Sequence, residues 1–142
     1  METWIDITDQ ELTTDPVWQW LAESEGGGVA IFVGATRRIT GERETVKLSY
    51  ESHESMARKE MQRLADEAGT KWRLHRVAVL HRVGEVPVSQ ASVIIGVASA
   101  HRAPAFEASR WLIDELKVSV PIWKQEHFAD GSTEWQGDAW LR

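Results

Sequence analysis

The sequence predicts a single domain of the α+β class in which most strands are antiparallel. Segments with strand-like patterns alternate with segments of helical periodicity in the order β, α, β, β, α, β, β, α, β. A chain of 142 residues is long enough for one hydrophobic core and too short for two. Residues 1–142 contain no internal repeat and no linker that would divide them.

The N-terminal half is expected to contain three strands and two helices. The strands are predicted over residues 4–8, 29–33 and 45–50. A short helix has Pro16 at its first position, and the triple glycine of residues 26–28 ends it as a flexible exit. A longer helix covers residues 54–68, with Gly69 where a C-cap belongs.

The C-terminal half is expected to contain two buried strands, a third helix and a final extended segment. Runs rich in β-branched side chains predict the strands over residues 74–83 and 92–98. A turn containing Gly84 and Pro87 separates them. Residues 104–117 have one apolar face and therefore predict a helix that starts at Pro104 and ends at Lys117.

Composition excludes several classes of function. With 16 basic and 22 acidic residues the net charge is −6, which argues against binding to nucleic acid or to an anionic membrane. The absence of cysteine excludes disulfides, thiolate metal sites and thiol nucleophiles, and the five histidines lack the spacing of a zinc site, so no metal is expected. Without a signal peptide or a membrane-length apolar run, the protein is predicted to be cytoplasmic. Eight tryptophans are attributed to core packing or to a subunit interface.

Basic residues are concentrated at the ends of the predicted elements, where ligands are usually bound. They are Arg37 and Arg38, His101 and Arg102, and Lys117 and Lys124. A helix N-terminus favours anions, and a lysine at a helix end can converge with one on the extended segment that follows. The pattern indicates a pocket for a phosphorylated small molecule, and no nucleotide-binding or acyl-serine motif accompanies it.

Five motifs, in this order, resemble those of the large, catalytic subunit of molybdopterin synthase. They are residues 32–37 (FVGATR), 48–51 (LSYE), 81–85 (HRVGE), 96–102 with 105–106 (GVASAHR and AF), and 116–117 with 121–126 (LK and PIWKQE). The resemblance spans about residues 26–137, and five ordered motifs are far more specific than any single one. The sequence differs from the family pattern at Thr36 and Arg38 and in a short tail after Trp135.

This resemblance implies an α/β-hammerhead fold and a central homodimer within a heterotetramer. The implied partner is a small ubiquitin-like sulfur carrier whose C-terminal Gly-Gly thiocarboxylate enters the active site. The implied reaction is a sulfurtransferase step of molybdenum cofactor biosynthesis, in which two sulfurs are transferred to cyclic pyranopterin monophosphate to make the dithiolene of molybdopterin. No cofactor is implied.

The resemblance also assigns roles to single residues. Lys117 corresponds to the catalytic lysine at the donor tail, and Lys124 to a lysine of the pterin pocket that is the second catalytic candidate. Arg37 corresponds to a residue that binds phosphate and pterin, as do His101 and Arg102 of the neighbouring subunit. Further residues near these positions are expected to support the site, namely Arg38, Pro121, Trp123 and Glu126.

The missing cysteine is consistent with this chemistry. An enzyme that transfers sulfur without a thiol needs sulfur that is already activated on a carrier, and a thiocarboxylate supplies it. A lysine can stabilise an oxyanion as ammonium or, with a lowered pKa, act as base or nucleophile, and the sequence leaves these roles open. The rival interpretations are a non-enzymatic binding module, a lysine Schiff-base lyase or aldolase, and an interaction protein built on its tryptophans.

Overall fold

A computed structural model describes residues 1–136 of the chain. Of the short tail after Trp135, only Gln136 is among the described residues. The elements, in chain order, are β1 (Glu2–Thr8), α1 (Thr14–Ala22), β2 (Gly28–Ala35), β3 (Ile39–Thr40), β4 (Arg43–Ser52), α2 (Glu54–Lys71), β5 (Arg76–Arg82), β6 (Gly84–Pro87), β7 (Ala91–Ser99), α3 (Arg102–Ser119), β8 (Ile122–Phe128) and β9 (Thr133–Gln136).

The first sheet has four strands in the order β1, β5, β7, β2. Within the described residues β1 and β5 are parallel, whereas every other strand pair of the protein is antiparallel. Strand β7 lies inside the sheet and is buried along almost its whole length, which explains its unbroken apolar sequence. The predicted α+β class with mostly antiparallel strands is confirmed.

Helices cover both faces of this sheet. Helices α2 and α3 pack on one face and form the main core, to which Met61, Leu64 and Leu112 contribute fully buried side chains. Helix α1 packs on the opposite face through Val17 and Leu21. The apolar faces predicted from the 3.6-residue period are therefore the faces that the helices bury.

The second sheet forms the wall opposite the end of α3. Its strands are ordered β3, β4, β8, β9, and β6 pairs with β4. Strand β8 follows directly on α3 because Val120 has extended backbone angles and ends the helix just before Pro121. A cavity lies between the two sheets and the C-terminal end of α3.

Two helix boundaries differ from the prediction for one physical reason. Helix α1 begins at Thr14 and α3 at Arg102, so Pro16 and Pro104 each occupy the third helical position. The N–H groups of the first turn have no partner within a helix, so proline is tolerated anywhere in it and does not fix the first residue. Helix α2 runs through Gly69 to Lys71, and the methionine side chain of Met1 fills the space beside this glycine.

Three short strands were not predicted. Gly84–Pro87, expected to be a turn, forms β6 along β4, and β3 and β9 pair at the edges of the second sheet. These strands have two to four residues each, and only Val86 among them is a buried apolar residue. Strands of this length lack a recognisable alternation, and their partners supply most of their stability.

Candidate functional site

The cavity has a volume of about 550 Å³, which suits a ligand of cofactor size. Three separate elements each contribute one cation to its lining. Arg37 follows the end of β2, Lys117 lies in the last turn of α3, and Lys124 lies in the middle of β8. The convergence predicted for the two lysines is confirmed, and Arg37 joins them.

These three cations have no carboxylate partner in an ion pair within residues 1–136. Other basic residues behave differently, since Lys47 and Arg58, for example, pair with carboxylates. Unpaired like charges that converge on one cavity repel one another, and an anionic ligand would relieve that repulsion. The arrangement therefore favours an anion over a neutral or cationic molecule.

Lys124 is the half-buried member of the group. Burial lowers the pKa of Lys124, Glu126 opposes that shift, and the charges of Lys117 and Arg37 lower the pKa further. The amine is therefore easier to deprotonate than an ordinary lysine, which gives it access to base or nucleophile chemistry. Lys117 is exposed at the rim, where it can meet a second molecule.

Glu126 connects the strands around the cations. Its carboxylate is only 4% exposed and accepts hydrogen bonds from Thr40 (2.6 Å), Gln136 (2.7 Å) and Thr45. Burial alone would raise the pKa of Glu126, but these threonine hydroxyls and the charges of Lys124 and Arg37 outweigh burial and lower it. The ionised carboxylate thereby ties β3, β4 and β9 to β8 beside the cavity. The supporting position expected for Glu126 agrees with this geometry.

Three ring-bearing residues line the rest of the cavity near Lys124. Trp123 donates its indole N–H to Glu51 (3.2 Å), while Tyr50 and His81 meet edge to face with ring centroids 5.0 Å apart. Burial raises the pKa of Tyr50, although Ser92 opposes the shift and Glu126 adds to it. Tyr50 and His81 belong to recognised motifs but received no role from the sequence. His81 directly follows the apolar residues 77–80 of a buried strand. A histidine in that position is the sequence signal that could have identified it.

Four sequence-predicted residues lie outside the cavity lining. His101 is the N-cap of α3 and Arg102 its first residue, so about 22 Å of helix separates Arg102 from Lys117. Arg38 is exposed and is not among the residues that line the cavity, and Pro121 is buried, with its carbonyl accepting the N–H of His53. A single chain therefore brings three of the six basic positions to the cavity, and His101, Arg102 and Arg38 lie elsewhere.

The glycine run of residues 26–28, which ends in the first residue of β2, has a packing role that the sequence did not predict. A Cβ on Gly26 would lie 2.6 Å from the carbonyl oxygen of Ser99, and one on Gly28 would lie 2.6 Å from the carbonyl carbon of His101. Such distances are too short for real side chains, so glycine is required for this close backbone approach. The run holds the segment of His101 and Arg102 at the start of α3 and is not a flexible exit.

No helix within residues 1–136 is long and apolar enough to cross a membrane. No group of three or more histidine or acidic side chains in the same residues is placed to hold a metal ion.

Fold and cavity together define a class of protein, an α+β domain with a pocket lined by three cations. The family model described as MoaE protein matches residues 7–119, and the chain belongs to this family. It is 42% identical over 136 residues to the molybdopterin synthase catalytic subunit of Culex quinquefasciatus, covering 94% of this chain and 87% of that protein. It is 41% identical over 134 residues to the Homo sapiens protein of the same name, covering 94% and 71%.

Solved structures share the fold. Molybdopterin synthase from Staphylococcus aureus superimposes with a TM-score of 0.84 at 33% identity, covering 92% of this chain and 95% of that one. A chain of the protein–protein complex of subunits 1 and 2 of molybdopterin-converting factor from Helicobacter pylori has a TM-score of 0.75 at 20% identity, covering 92% and 88%, which is a likeness of fold alone. The family recognised from the five motifs is confirmed.

Proposed function

We propose that this chain is the catalytic subunit of a molybdopterin synthase and transfers sulfur to cyclic pyranopterin monophosphate. The observation that carries the proposal is the convergence of Arg37, Lys117 and Lys124, none of them ion-paired within residues 1–136, on one cavity of suitable size. The substrate carries a phosphate that three cations can bind. The relatives that match most of the chain are named for this activity.

The three cations take different parts in the reaction. Arg37 and Lys124 bind the phosphate and hold the pterin, since Lys124 is half-buried inside the cavity. Lys117 lies exposed at the rim, where the C-terminal thiocarboxylate of a small carrier protein can reach it. The sulfur donor and the pterin then meet between the two lysines.

Sulfur transfer needs stabilisation of negative charge on the carrier carbonyl. The thiocarboxylate sulfur forms a bond to an electrophilic carbon of the pterin side chain as that carbon's bond to oxygen breaks, and the oxygen leaves either on the phosphate or, once protonated, as water. Water then adds to the carrier's thioester carbonyl, whose carbon–sulfur bond breaks, so that the sulfur stays on the pterin and the carrier is left as its carboxylate. An oxyanion develops on the carrier's carbonyl oxygen during that addition, and the ammonium group of Lys117 can stabilise it. Burial is the main reason that the pKa of Lys124 is lowered. Its amine can therefore accept a proton in one step and return it in another.

The pocket is completed across a homodimer. His101 and Arg102 lie about 22 Å along α3 from Lys117, so one chain cannot bring all of these residues to one substrate. Neither side chain forms a hydrogen bond or ion pair within residues 1–136, which leaves both available to a second copy. In the proposed heterotetramer, each of two such chains also binds one small ubiquitin-like carrier.

Mass spectrometry of the pterin tests the proposed function. The protein is mixed with cyclic pyranopterin monophosphate and a thiocarboxylated carrier, and the expected product contains two sulfurs. The carrier should return as its carboxylate. A binding module would bind the pterin and leave its mass unchanged, and that result would contradict the proposal.

A further inference from the structure

His81 is a buried polar residue in the cavity to which the proposed mechanism assigns no role. It lies near the C-terminal end of β5 and is 5% exposed. The neighbouring strands β1 and β7 place Ile7 and Val93 beside it, so backbone pairing on both sides fixes its position. The ring lines the same cavity as Arg37, Lys117 and Lys124.

The hydrogen bonds of the ring define which nitrogen carries the proton. Nδ1 lies 2.7 Å from the backbone carbonyl oxygen of Arg82, and a carbonyl can only accept, so Nδ1 is the donor. The opposite nitrogen, Nε2, is then the acceptor of the neutral ring and makes no hydrogen bond within residues 1–136. An edge-to-face contact with the ring of Tyr50 supports this orientation.

The remaining charged groups of the cavity make this acceptor distinctive. Arg37, Lys117 and Lys124 can only donate hydrogen bonds when charged. The carboxylate of Glu126 already accepts three hydrogen bonds from Thr40, Thr45 and Gln136. For a ligand with N–H groups as well as a phosphate, the neutral His81 ring therefore offers an acceptor that the three cations cannot supply.

We propose that His81 is a specificity-determining residue whose Nε2 accepts a hydrogen bond from a ring N–H of the bound pterin, while the cations bind its phosphate. This inference rests on the proposed function, because it takes a pterin as the ligand. The electrostatics of the cavity are consistent with it. Burial, with a smaller contribution from the charge of Lys124, lowers the pKa of His81 to about 4, so Nε2 stays an acceptor at neutral pH.

Calorimetric titration of His81→Asn with cyclic pyranopterin monophosphate tests this inference. The asparagine amide can still donate to the Arg82 carbonyl but has no atom at the position of Nε2. We expect the pterin to bind about tenfold more weakly, the effect of one lost hydrogen bond. The affinity for inorganic phosphate, followed by NMR, should not change, because the three cations are intact.

A second variant keeps the test decisive if His81→Asn folds poorly. His81→Gln can place its amide oxygen close to the position of Nε2, so it should bind the pterin within a few-fold of the wild-type affinity. A folded His81→Gln that binds pterin no better than a protein without this acceptor, about tenfold more weakly than wild type, would contradict the inference. Equal pterin affinity in wild type and a folded His81→Asn would overturn the inference, as would equal losses of pterin and phosphate affinity. A wild-type protein that bound phosphate but no pterin would instead overturn the proposed function, and this inference with it.

Discussion

The groups around the amine of Lys124 determine its pKa. Partial burial and the charges of Lys117 and Arg37 disfavour the charged amine, whereas the carboxylate of Glu126 favours it. Burial has the largest effect, so the pKa is lowered and not raised. Arg37, Lys117 and Lys124 repel one another in the absence of an anion, and binding of an anionic ligand would therefore stabilise the site.

His81 makes a prediction about stability and pH. Its pKa is about 4 in the folded protein against an ordinary value of 6.5, so the unfolded chain takes up the proton first as the pH falls. The folded state should therefore lose stability between pH 6.5 and 4, with His81 responsible for about 2 kcal/mol of loss between about pH 7 and 5.

Urea unfolding at the two pH values measures this loss, and His81→Asn provides the control. The variant keeps every other titrating group, so the difference between the two pH dependences isolates His81. The variant should lose less stability than wild type on acidification, by about 2 kcal/mol. Identical pH dependences would show that the imidazole is not buried in neutral form.

Sequence reasoning located the charged residues of the site better than the neutral ones. The site's cations are Arg37, which follows β2, Lys117 at the end of α3, and Lys124 on the extended strand β8. A charged side chain at such a position is seldom needed for packing, so it indicates a ligand. The role inferred for His81 depends on which strands flank it and on the tautomer set by the Arg82 carbonyl. Neither property is encoded in local periodicity.

At the scale of elements, the approach of two backbone segments positions the start of α3. The glycines before β2 lie directly against residues 99–101, and the hydroxyl of Ser99 donates to the carbonyl of His101. Helix and strand propensities describe the elements on either side, but this contact depends on the space between them. That is why the glycine run was misinterpreted as flexible.

Gly28→Ala should be substantially destabilising. The new methyl would lie 2.6 Å from the His101 carbonyl carbon, and backbone atoms must move to accept it. We expect a loss of about 2 kcal/mol in the free energy of unfolding, measured in urea. Pterin binding should weaken too, because His101 and Arg102 move with the displaced segment.

Gly27→Ala is the matched control for this prediction. Its added methyl would lie 3.1 Å from the Ala100 carbonyl oxygen, a contact that a small shift relieves. It should cost less than about 1 kcal/mol, within the range of ordinary single substitutions. Equal stabilities for the two variants would mean that the close approach at Gly28 does not constrain α3.

Elements with a strong periodic pattern were predicted and those without one were not. Helices α2 and α3 and the buried strands β5 and β7 have many apolar side chains on defined faces. The three short strands of the second sheet expose most of their side chains and are stabilised by pairing with β4 and β8. Pairing between distant segments cannot be deduced from a local window.

At the scale of the whole molecule, α3 separates two groups of candidate site residues. Its C-terminal end contributes Lys117 to the cavity, and its N-terminal end presents His101 and Arg102 to solvent. None of the seven tryptophans within residues 1–136 is fully buried, and Trp18 is 52% exposed. The core packing suggested for tryptophan is therefore at most partial, and the exposed rings favour the subunit-interface interpretation.

Mixed dimers test whether the site is shared. Arg102→Ala and Lys117→Ala should each be inactive as homodimers, while a dimer with one copy of each should regain activity in one of its two pockets. Recovery follows because one pocket then draws Arg102 and Lys117 from chains in which they are intact. Native mass spectrometry confirms that mixed dimers form, and their inactivity would contradict a site shared between chains.

The most direct test of the cationic cavity as the site of sulfur transfer is a single-turnover assay of Lys117→Ala. Pterin product is followed by mass spectrometry with the thiocarboxylated carrier in excess, and exposed Lys59 on α2, changed to alanine, is the matched control. We predict that Lys117→Ala lowers the rate by at least about 100-fold, as loss of a charge-stabilising group does, and that Lys117→Arg stays slow because it lacks the compact amine. Lys59→Ala should react at the wild-type rate. Turnover of folded, dimeric Lys117→Ala at a rate near that of wild type would contradict the central role of this lysine.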